Sequence, residues 1–309
     1  MSSSLGPPYF VVYNDQLNSW WPPTAIAAGL GVPTYAHNSS YNIFNLAFWL
    51  TTGPADTALV WSNALTYVSS DNPWGSTTTA VQAAWLNLYH KNGIKLMVSA
   101  FGATEFPTSA GVDPVQCGHD LANFVINNQL DGVDLDWEDN AAMEAGTGEQ
   151  WLINITRTLR QLLPKEKGYI ISHAPQAPYF MGTSKYPKGG YLTVHKAVGD
   201  LIDFYNIQFY NQGNSQYSSF ETLFVSSDGW ASQTSVGEMI TNGIAPNKIV
   251  VGKPISRGDV VNTGFVPVDS LAQFLQQGRG KGWNAGFMGW QYKSDSDGSW
   301  SQTLSKAFQ

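Results

Sequence analysis

Short apolar runs alternate with longer segments of helical periodicity along most of the chain. The apolar runs are nearly continuous and are bounded by Gly, Asn, Asp or Pro, a pattern typical of parallel strands buried on both faces. We predict eight such strands, at Tyr9–Tyr13, Tyr41–Trp49, Ile94–Ala100, Asp131–Glu138, Tyr169–Ser172, Phe204–Tyr210, Lys248–Gly252 and Gly286–Trp290.

The segments between these strands have apolar residues at helical spacing, as Val81, Trp85 and Leu88 show in one of them. We predict helices at Thr24–Leu30, Thr78–His90, Pro114–Asn128, Gln150–Leu163, Leu192–Gly199, Ser235–Asn242 and Val268–Gly278, and the segment Ser301–Phe308 closes the chain. One region, Thr51–Gly75, lacks this periodicity, and we predict an elaborated loop there with a short strand at Ala58–Trp61.

Eight strand–helix repeats without a linker or a low-complexity break are typical of a (β/α)8 TIM barrel, because doubly wound sheets usually stop at five or six strands. We therefore predict an α/β fold with one catalytic domain over residues 1–309. In such barrels the functional site lies at the C-terminal ends of the strands.

The composition narrows the choice of partners. The net charge of −7 and the absence of a basic cluster argue against nucleic acid and against an anionic membrane surface. No apolar stretch is long enough to cross a bilayer, and no signal peptide is visible in this chain, so the location stays open between secreted and cytoplasmic. We expect a soluble monomer.

Two residue counts bear on chemistry. Cys117 is the only cysteine, which excludes an intrachain disulfide and favours a buried apolar role on a helix. The chain has 12 Trp and 14 Tyr, and most of these rings are expected in the core, although aromatic rings also stack on sugar faces. No phosphate loop or dinucleotide motif occurs, and we expect no cofactor and no metal.

Three acids stand out in the fourth predicted strand. Asp134, Asp136 and Glu138 alternate with Leu135 and Trp137, so the three carboxyl groups are expected on one face of the strand. Like charges in a buried strand repel and lose hydration, and proteins tolerate this cost in stability mainly at functional sites. The stretch therefore predicts an active site, with Glu138 at the strand end.

The motif around these acids, Asp131-Gly-Val-Asp-Leu-Asp-Trp-Glu138, resembles the signature of glycoside hydrolase family 18, the chitinase family. Three further segments support the resemblance: Ala174-Pro175-Gln176 after the fifth strand, Gln208–Asn211 at the sixth, and Trp290 at the eighth. One segment departs from it, because Phe101 stands where the family often has Gly.

The resemblance implies a retaining mechanism in which the N-acetyl oxygen of the substrate is the nucleophile. It implies Glu138 as general acid, Asp136 as the residue that orients the acetamido group, and Asp134 as a partner that shares a proton with Asp136. Tyr210 is expected to donate to the acetamido oxygen, and Trp290 to stack under the sugar. Weaker candidates for substrate contact are Gln208, Asn211, Gln176 and Tyr13.

Two further residues near these acids have structural interpretations. Asp131 lies three residues before Asp134, off the shared face of a regular strand, and we expect a structural role. His173 has no second histidine at ligand spacing, so a hydrogen-bonded structural histidine is expected.

Three functions are compatible with the sequence. The first is a chitinase that cleaves β-1,4-linked N-acetylglucosamine polymers, with endo-type cutting because the segment from Gly252 to Val268 is too short for the α+β domain that walls deep clefts. The second is an endo-β-N-acetylglucosaminidase that acts on the chitobiose core of N-glycans, with Thr51–Gly75 and Asp139–Gly148 as loops that accommodate a branched substrate. The third is a non-catalytic lectin or inhibitor, which the presence of Glu138 disfavours.

Overall fold

Eight parallel strands close into a barrel in the computed structural model, which describes residues 5–15, 39–63, 77–213 and 215–309. The strands, with one short extra strand at β3, are β1 (Tyr9–Asn14), β2 (Ile43–Leu50), β3 (Gly53–Pro54), β4 (Lys95–Phe101), β5 (Gly132–Asp136), β6 (Ile170–His173), β7 (Phe204–Gln208), β8 (Ile249–Pro254) and β9 (Gly286–Trp290). β1 pairs in parallel with both β2 and β9, which closes the barrel, and β3 adds antiparallel to β2. The predicted (β/α)8 TIM barrel is confirmed.

Helices cover the outside of the barrel. They are α1 (Asp56–Ser62), α2 (Thr78–Lys91), α3 (Pro114–Asn127), α4 (Asn140–Ala145), α5 (Gly148–Leu162), α6 (Gly190–Val198), α7 (Val236–Thr241), α8 (Val268–Gly280) and α9 (Ser299–Ser305). Side-chain caps mark several starts: Asp113 accepts from the Gln116 amide before α3, and Ser235 forms a capping box with Glu238 at α7. Cys117 is buried in α3, where it was expected.

Two predicted elements differ from the structure, and a third cannot be compared with it. The short strand at Ala58–Trp61 is wrong, because these residues lie in α1, where Ala58, Val60 and Trp61 are buried and Leu59 is exposed. A four-residue apolar run fits either a strand or one side of a short helix, and the packing of α1 against β2 decides for the helix. The predicted loop after Glu138 contains α4. The helix predicted at Thr24–Leu30 lies outside the described residues.

Strand β5 shows how side chains alternate between the inside and the outside of the barrel. Val133, Leu135 and Trp137 are fully buried beneath the helices, whereas Asp134 points inward, where the Tyr13 hydroxyl of β1 and the Asn206 amide of β7 reach it. The alternation read from the sequence is thus what directs the acids into the barrel.

The N-terminal end of the barrel is held by ion pairs. Asp131, just before β5, lies 2.8 Å from His90 Nε2 and 3.0 Å from Lys95 Nζ, and it accepts a hydrogen bond from the Leu96 amide. These contacts link β5 to β4 and to the end of α2, which agrees with the structural role predicted for Asp131. The same contacts lower the pKa of Asp131 despite its burial.

The segment between β8 and α8 holds only a short 3-10 turn at Arg257–Asp259 and no inserted domain. Within the described ranges, no helix has the length and apolar character that a membrane span requires.

Candidate active site

A cavity of about 340 Å³ opens at the C-terminal end of the barrel strands. Its described lining comes from the ends of β1, β2, β5, β7 and β9, from the start of α1 and from the loops that follow β4, β7 and β8. The residues are Asp15, Phe48, Asp56, Ala103, Thr104, Asp136, Glu138, Gln208, Tyr210, Asn211, Asp259, Val261 and Trp290.

Asp134 lies below the cavity and is fully buried. Four side chains donate to its carboxylate: the hydroxyls of Tyr13 and Ser99 at 2.8 Å, the hydroxyl of Ser172 at 2.6 Å and the amide of Asn206 at 3.1 Å. Burial raises the pKa of Asp134, and these donors oppose that rise by stabilising the charged form. Asp134 is thus a saturated acceptor at the centre of the barrel.

Asp136 is one pleat closer to the cavity. The Gln208 amide donates to Asp136 Oδ1 at 2.8 Å, and the Asp136 carboxyl group also hydrogen-bonds the carboxyl group of Glu138. Burial, together with the charges of Glu138 and Asp134, holds the pKa of Asp136 well above its ordinary value. The predicted proton sharing between Asp134 and Asp136 stays a prediction, because the described hydrogen bonds of Asp136 go to Gln208 and Glu138.

Glu138 is half-buried and faces the cavity. The amide of Gln176 donates to Glu138 Oε2 at 2.9 Å, and the amide of Gln208 lies 3.3 Å from Oε1. Burial raises the pKa of Glu138, while the two amides and Asp136 act in the opposite direction. The result is a carboxyl group that keeps its proton to higher pH than a solvated glutamate and has an open face toward a bound molecule.

Tyr210 lies two residues beyond β7, where the chain bends over the cavity. It is 5% exposed, and no hydrogen bond of its hydroxyl group occurs within the described part of the chain. Burial and the nearby charge of Asp136 raise its pKa well above 10, so the hydroxyl remains a hydrogen-bond donor across the ordinary pH range. The described geometry leaves this donor available to a ligand in the cavity.

Trp290 ends β9 and forms an aromatic wall of the cavity. The ring of Phe48 is stacked at 6.2 Å from it, and the ring of Tyr13 lies tilted at 5.9 Å. Contacts of this kind fix the plane of the indole ring, which is partly exposed toward the cavity.

The structure assigns different positions to the weaker candidates. Gln176 and Gln208 both contact Glu138. Asn211 lines the cavity, but its side-chain oxygen accepts from the Val261 amide at 2.9 Å, so it also fixes the neighbouring loop. The position of Tyr13 does not fit the predicted contact with a sugar. Its side chain is 1% exposed, lies beneath the cavity and donates a hydrogen bond to Asp134.

His173 lies on the outer side of the barrel wall. Its ring nitrogens lie 3.2 Å from the Thr156 hydroxyl and 3.1 Å from the Tyr191 hydroxyl, and burial lowers its pKa to about 3. These contacts agree with the structural role expected for a neutral, hydrogen-bonded histidine.

The departure at Phe101 has a structural explanation. Phe101 has φ +80°, a backbone conformation that Gly adopts without strain. Its ring is fully buried and makes edge contacts with Trp49 at 6.2 Å and Trp151 at 5.7 Å. The substitution of Phe for Gly thus leaves the left-handed turn in place and adds an aromatic anchor beneath the loop that follows β4.

Three acids in the cavity wall were missed in the sequence. Asp15 directly follows β1, and its place at a strand end is a signal that could have revealed it. Asp56 is the first residue of α1 and Asp259 lies in the turn after β8, and the sequence pattern does not specify the path of either segment. Asp259 is saturated by donors from Ser256 and Ser294. Burial raises the pKa of Asp15 and of Asp56.

A (β/α)8 barrel with a protonatable carboxyl group beside a second carboxyl group, an aromatic wall and a tyrosine hydroxyl defines the class of carbohydrate-cleaving glycosidases. A model of the Glycosyl hydrolases family 18 matches residues 18–303. The chain belongs to this family, and it is a chitinase-type glycosidase.

Relatives of known sequence and structure agree with this assignment. The acidic endochitinase of Phaseolus angularis is 26% identical over 286 residues, which cover 87% of this chain and 82% of that protein. A family 18 chitinase from Pseudoalteromonas aurantia superposes with a TM-score of 0.72 at 26% identity and covers 97% of this chain and 99% of its own. A fungal endo-β-N-acetylglucosaminidase of the family superposes with a TM-score of 0.64 at 18% identity, and the match covers 97% of this chain and 98% of that enzyme. At this level of identity the similarity supports the fold alone.

Proposed function

We propose that the protein is a retaining, endo-acting chitinase that cleaves β-1,4-linked N-acetylglucosamine with Glu138 as general acid and base. The observation that carries this proposal is the neighbouring pair of carboxyl groups of Asp136, at the end of β5, and Glu138, two residues further on. Both contact the Gln208 amide, and both line a cavity with Trp290 in its wall. A carboxyl group with a raised pKa is suited to protonate the oxygen of a leaving sugar.

The neighbouring groups complete the reaction. The acetamido oxygen of the substrate attacks the anomeric carbon while Glu138 protonates the leaving oxygen, and water later opens the cyclic intermediate with Glu138 as base. Asp136 accepts from the acetamido N–H and orients it. The Tyr210 hydroxyl donates to the acetamido oxygen as charge develops there, and Trp290 supports the sugar ring.

The carboxyl groups of Asp15 and Asp56 provide a test of this mechanism. If an enzyme carboxylate were the nucleophile, its removal would cost several orders of magnitude in rate. We expect Asp15→Asn and Asp56→Asn to keep hydrolysis of N-acetylglucosamine oligomers within about tenfold of the wild type, because the nucleophile belongs to the substrate. The measurement is kcat on oligomers, and a loss of about 1,000-fold in either variant argues for a two-carboxylate mechanism.

We expect endo-type cutting because the described segment between β8 and α8 is too short to hold an inserted domain that would add a wall to the cavity. Long N-acetylglucosamine oligomers are expected to yield a spread of internal cleavage products in the first minutes. Release of disaccharide alone from one end of the chain argues for an exo mode.

The second candidate is an endo-β-N-acetylglucosaminidase, since the barrel also superposes on the fungal enzyme of that activity. Both candidates use the same acetamido chemistry and differ only in what surrounds the reacting sugar. Parallel incubation with chitin oligomers and with a high-mannose glycoprotein separates them. Cleavage of the oligomers without deglycosylation supports the chitinase, and release of the intact glycan supports the alternative.

A further inference from the structure

A lysine side chain is buried beneath the loop that carries Tyr210. Lys253, near the end of β8, is 0% exposed. Its Nζ donates to three backbone carbonyl oxygens: Phe209 O at 2.7 Å, Tyr217 O at 2.7 Å and Gly264 O at 3.1 Å. These acceptors belong to the segments that follow β7 and β8, so one side chain joins two loops at the cavity.

The ammonium group of Lys253 is buried without a carboxylate partner in the described part of the chain. Among the described residues, no carboxylate lies within ion-pair distance of its Nζ. Burial lowers the pKa of Lys253 to about 7. The three carbonyl oxygens favour the ammonium form, since only that form offers three N–H donors. A buried cation without a counter-ion is costly, and here its only described partners are the backbone groups around Tyr210.

Both loops meet at Tyr210. Phe209 O, which accepts from Lys253, belongs to the peptide bond that precedes Tyr210. Gly264, the third acceptor residue, has φ +111° and packs so closely that a Cβ atom there would lie 2.5 Å from both Cα and Cβ of Tyr210. The Asn211 amide also donates to Thr263 O at 2.7 Å. The backbone of Tyr210 is therefore held on both sides by segments that Lys253 draws together.

We propose that Lys253 is a positioning residue that fixes the Tyr210 hydroxyl for the reaction by holding the two loops against each other. The inference rests on the proposed function, in which Tyr210 stabilises the reacting acetamido group. Lys253 touches no substrate and acts through the placement of the Tyr210 backbone.

The test replaces Lys253 with Met, which has a similar length but no donor. We expect kcat on N-acetylglucosamine oligomers to fall by about tenfold to 100-fold with a small change in KM, because a displaced transition-state donor costs rate more than ground-state binding. The matched control is Lys248→Met. Lys248 also donates to two backbone carbonyl oxygens, Gly199 O and Ile202 O, both at 2.6 Å, but it directly precedes β8, at the opposite end of that strand from Lys253. The control is expected to lose stability and to keep kcat.

A double-mutant cycle separates positioning from general stability. In a Tyr210→Phe background, Lys253→Met is expected to reduce kcat by less than about threefold, because the group it positions is already absent. An equal loss in both backgrounds, or a kcat in Lys253→Met that matches the Lys248→Met control, overturns the inference. If the wild type cleaves no N-acetylglucosamine substrate, it is the proposed function that fails.

Hydrogen exchange tests the same inference without a variant. The amides of Phe209 and Asn211 in the wild type are expected to be as strongly protected as those of β5, since the loops open only with the barrel. Exchange at these amides about 1,000-fold faster than in β5 shows that the loops are not held and overturns the inference even if Lys253→Met does not fold.

Discussion

The carboxyl group of Glu138 is controlled by a small number of neighbouring atoms. Two glutamine amides and one carboxyl group contact it, and the remaining face is open to the cavity. The glutamine contacts could not be derived from the sequence, because Gln176 and Gln208 reach Glu138 only through the pairing of β7 with the segment after β6. The order of the acids, in contrast, followed directly from their alternation along β5.

Replacement of Glu138 by Gln is expected to abolish hydrolysis while leaving oligosaccharide binding within a few-fold of the wild type, because the amide keeps the shape but cannot donate the catalytic proton. The loss in kcat is expected to be at least about 1,000-fold. Calorimetric titration with an N-acetylglucosamine oligomer, beside a kinetic assay, checks both parts. Turnover close to the wild type in this variant contradicts the role assigned to Glu138.

Gln176→Met is expected to move the basic limb of the kcat–pH profile to higher pH. The Gln176 amide donates to the Glu138 carboxylate at 2.9 Å and lowers the pKa of Glu138. Without this donor, Glu138 in the variant keeps its proton to higher pH. The measurement is kcat on N-acetylglucosamine oligomers across the pH range, and a shift to higher pH is the expected result.

Gln212→Met is the matched control for Gln176→Met. Gln212 contacts Gln176 at 3.4 Å and makes no described hydrogen bond to Glu138. The basic limb of the kcat–pH profile of Gln212→Met is expected to stay at the pH of the wild type. A shift of the basic limb to lower pH in Gln176→Met contradicts the assigned effect of the Gln176 amide on the pKa of Glu138.

Among the structural elements, the strands were easier to predict than the loops. β5 and β9 lie within the predicted ranges because continuous apolar runs indicate buried strands. The cavity wall, however, includes Asp56 at the start of α1 and Asp259 in the turn after β8, whose positions depend on loop packing rather than on periodicity. The same cause explains why α1 was predicted as a strand.

The turn after β4 balances backbone strain against burial. Phe101→Gly removes the strain of φ +80° but also removes a fully buried ring. Loss of such a ring lowers the free energy of unfolding by about 3–5 kcal/mol, and relief of the backbone strain raises it by about 1–2 kcal/mol. The variant is therefore expected to be less stable by about 1–4 kcal/mol. Urea unfolding measures the change. Phe101→Leu, which keeps the strain and much of the burial, is the control, and a Phe101→Gly variant more stable than the wild type contradicts the expected balance.

For the whole molecule, the barrel separates stability from chemistry along its axis. The N-terminal end contains the Asp131 cluster with His90 and Lys95, and the C-terminal end contains Glu138 and the cavity. Barrels of this fold share such a division of the two ends. The sequence already supported this division, since the odd offset of Asp131 from Asp134 placed it outside the catalytic face.

Asp131→Asn is expected to lower the free energy of unfolding by about 1–3 kcal/mol at pH 7, because the partly exposed cluster loses the negative charge that pairs with Lys95 and His90. The kcat of the folded enzyme is expected to stay unchanged. Since the folded pKa of Asp131 is lowered, its stabilisation is present above the unfolded pKa of about 3.9 and is lost as pH falls through the folded pKa.

Wild type and Asp131→Asn are therefore expected to converge in stability in strong acid, as unfolding curves at several pH values will show. The exposed Asp120 on α3 accepts, among the described residues, only from Gln116 in the preceding turn, and Asp120→Asn serves as a control with little expected effect. A large loss of kcat in Asp131→Asn argues against the separation of the two ends.

The four donors around Asp134 have a consequence for how this sequence can change over time. Tyr13, Ser99, Ser172 and Asn206 come from β1, β4, β6 and β7, four segments spread along the gene, yet they serve one acceptor. A substitution at one of them changes which residues are tolerated at the other three. Variant libraries that randomise these four positions together are expected to contain active combinations that no series of single neutral steps can reach.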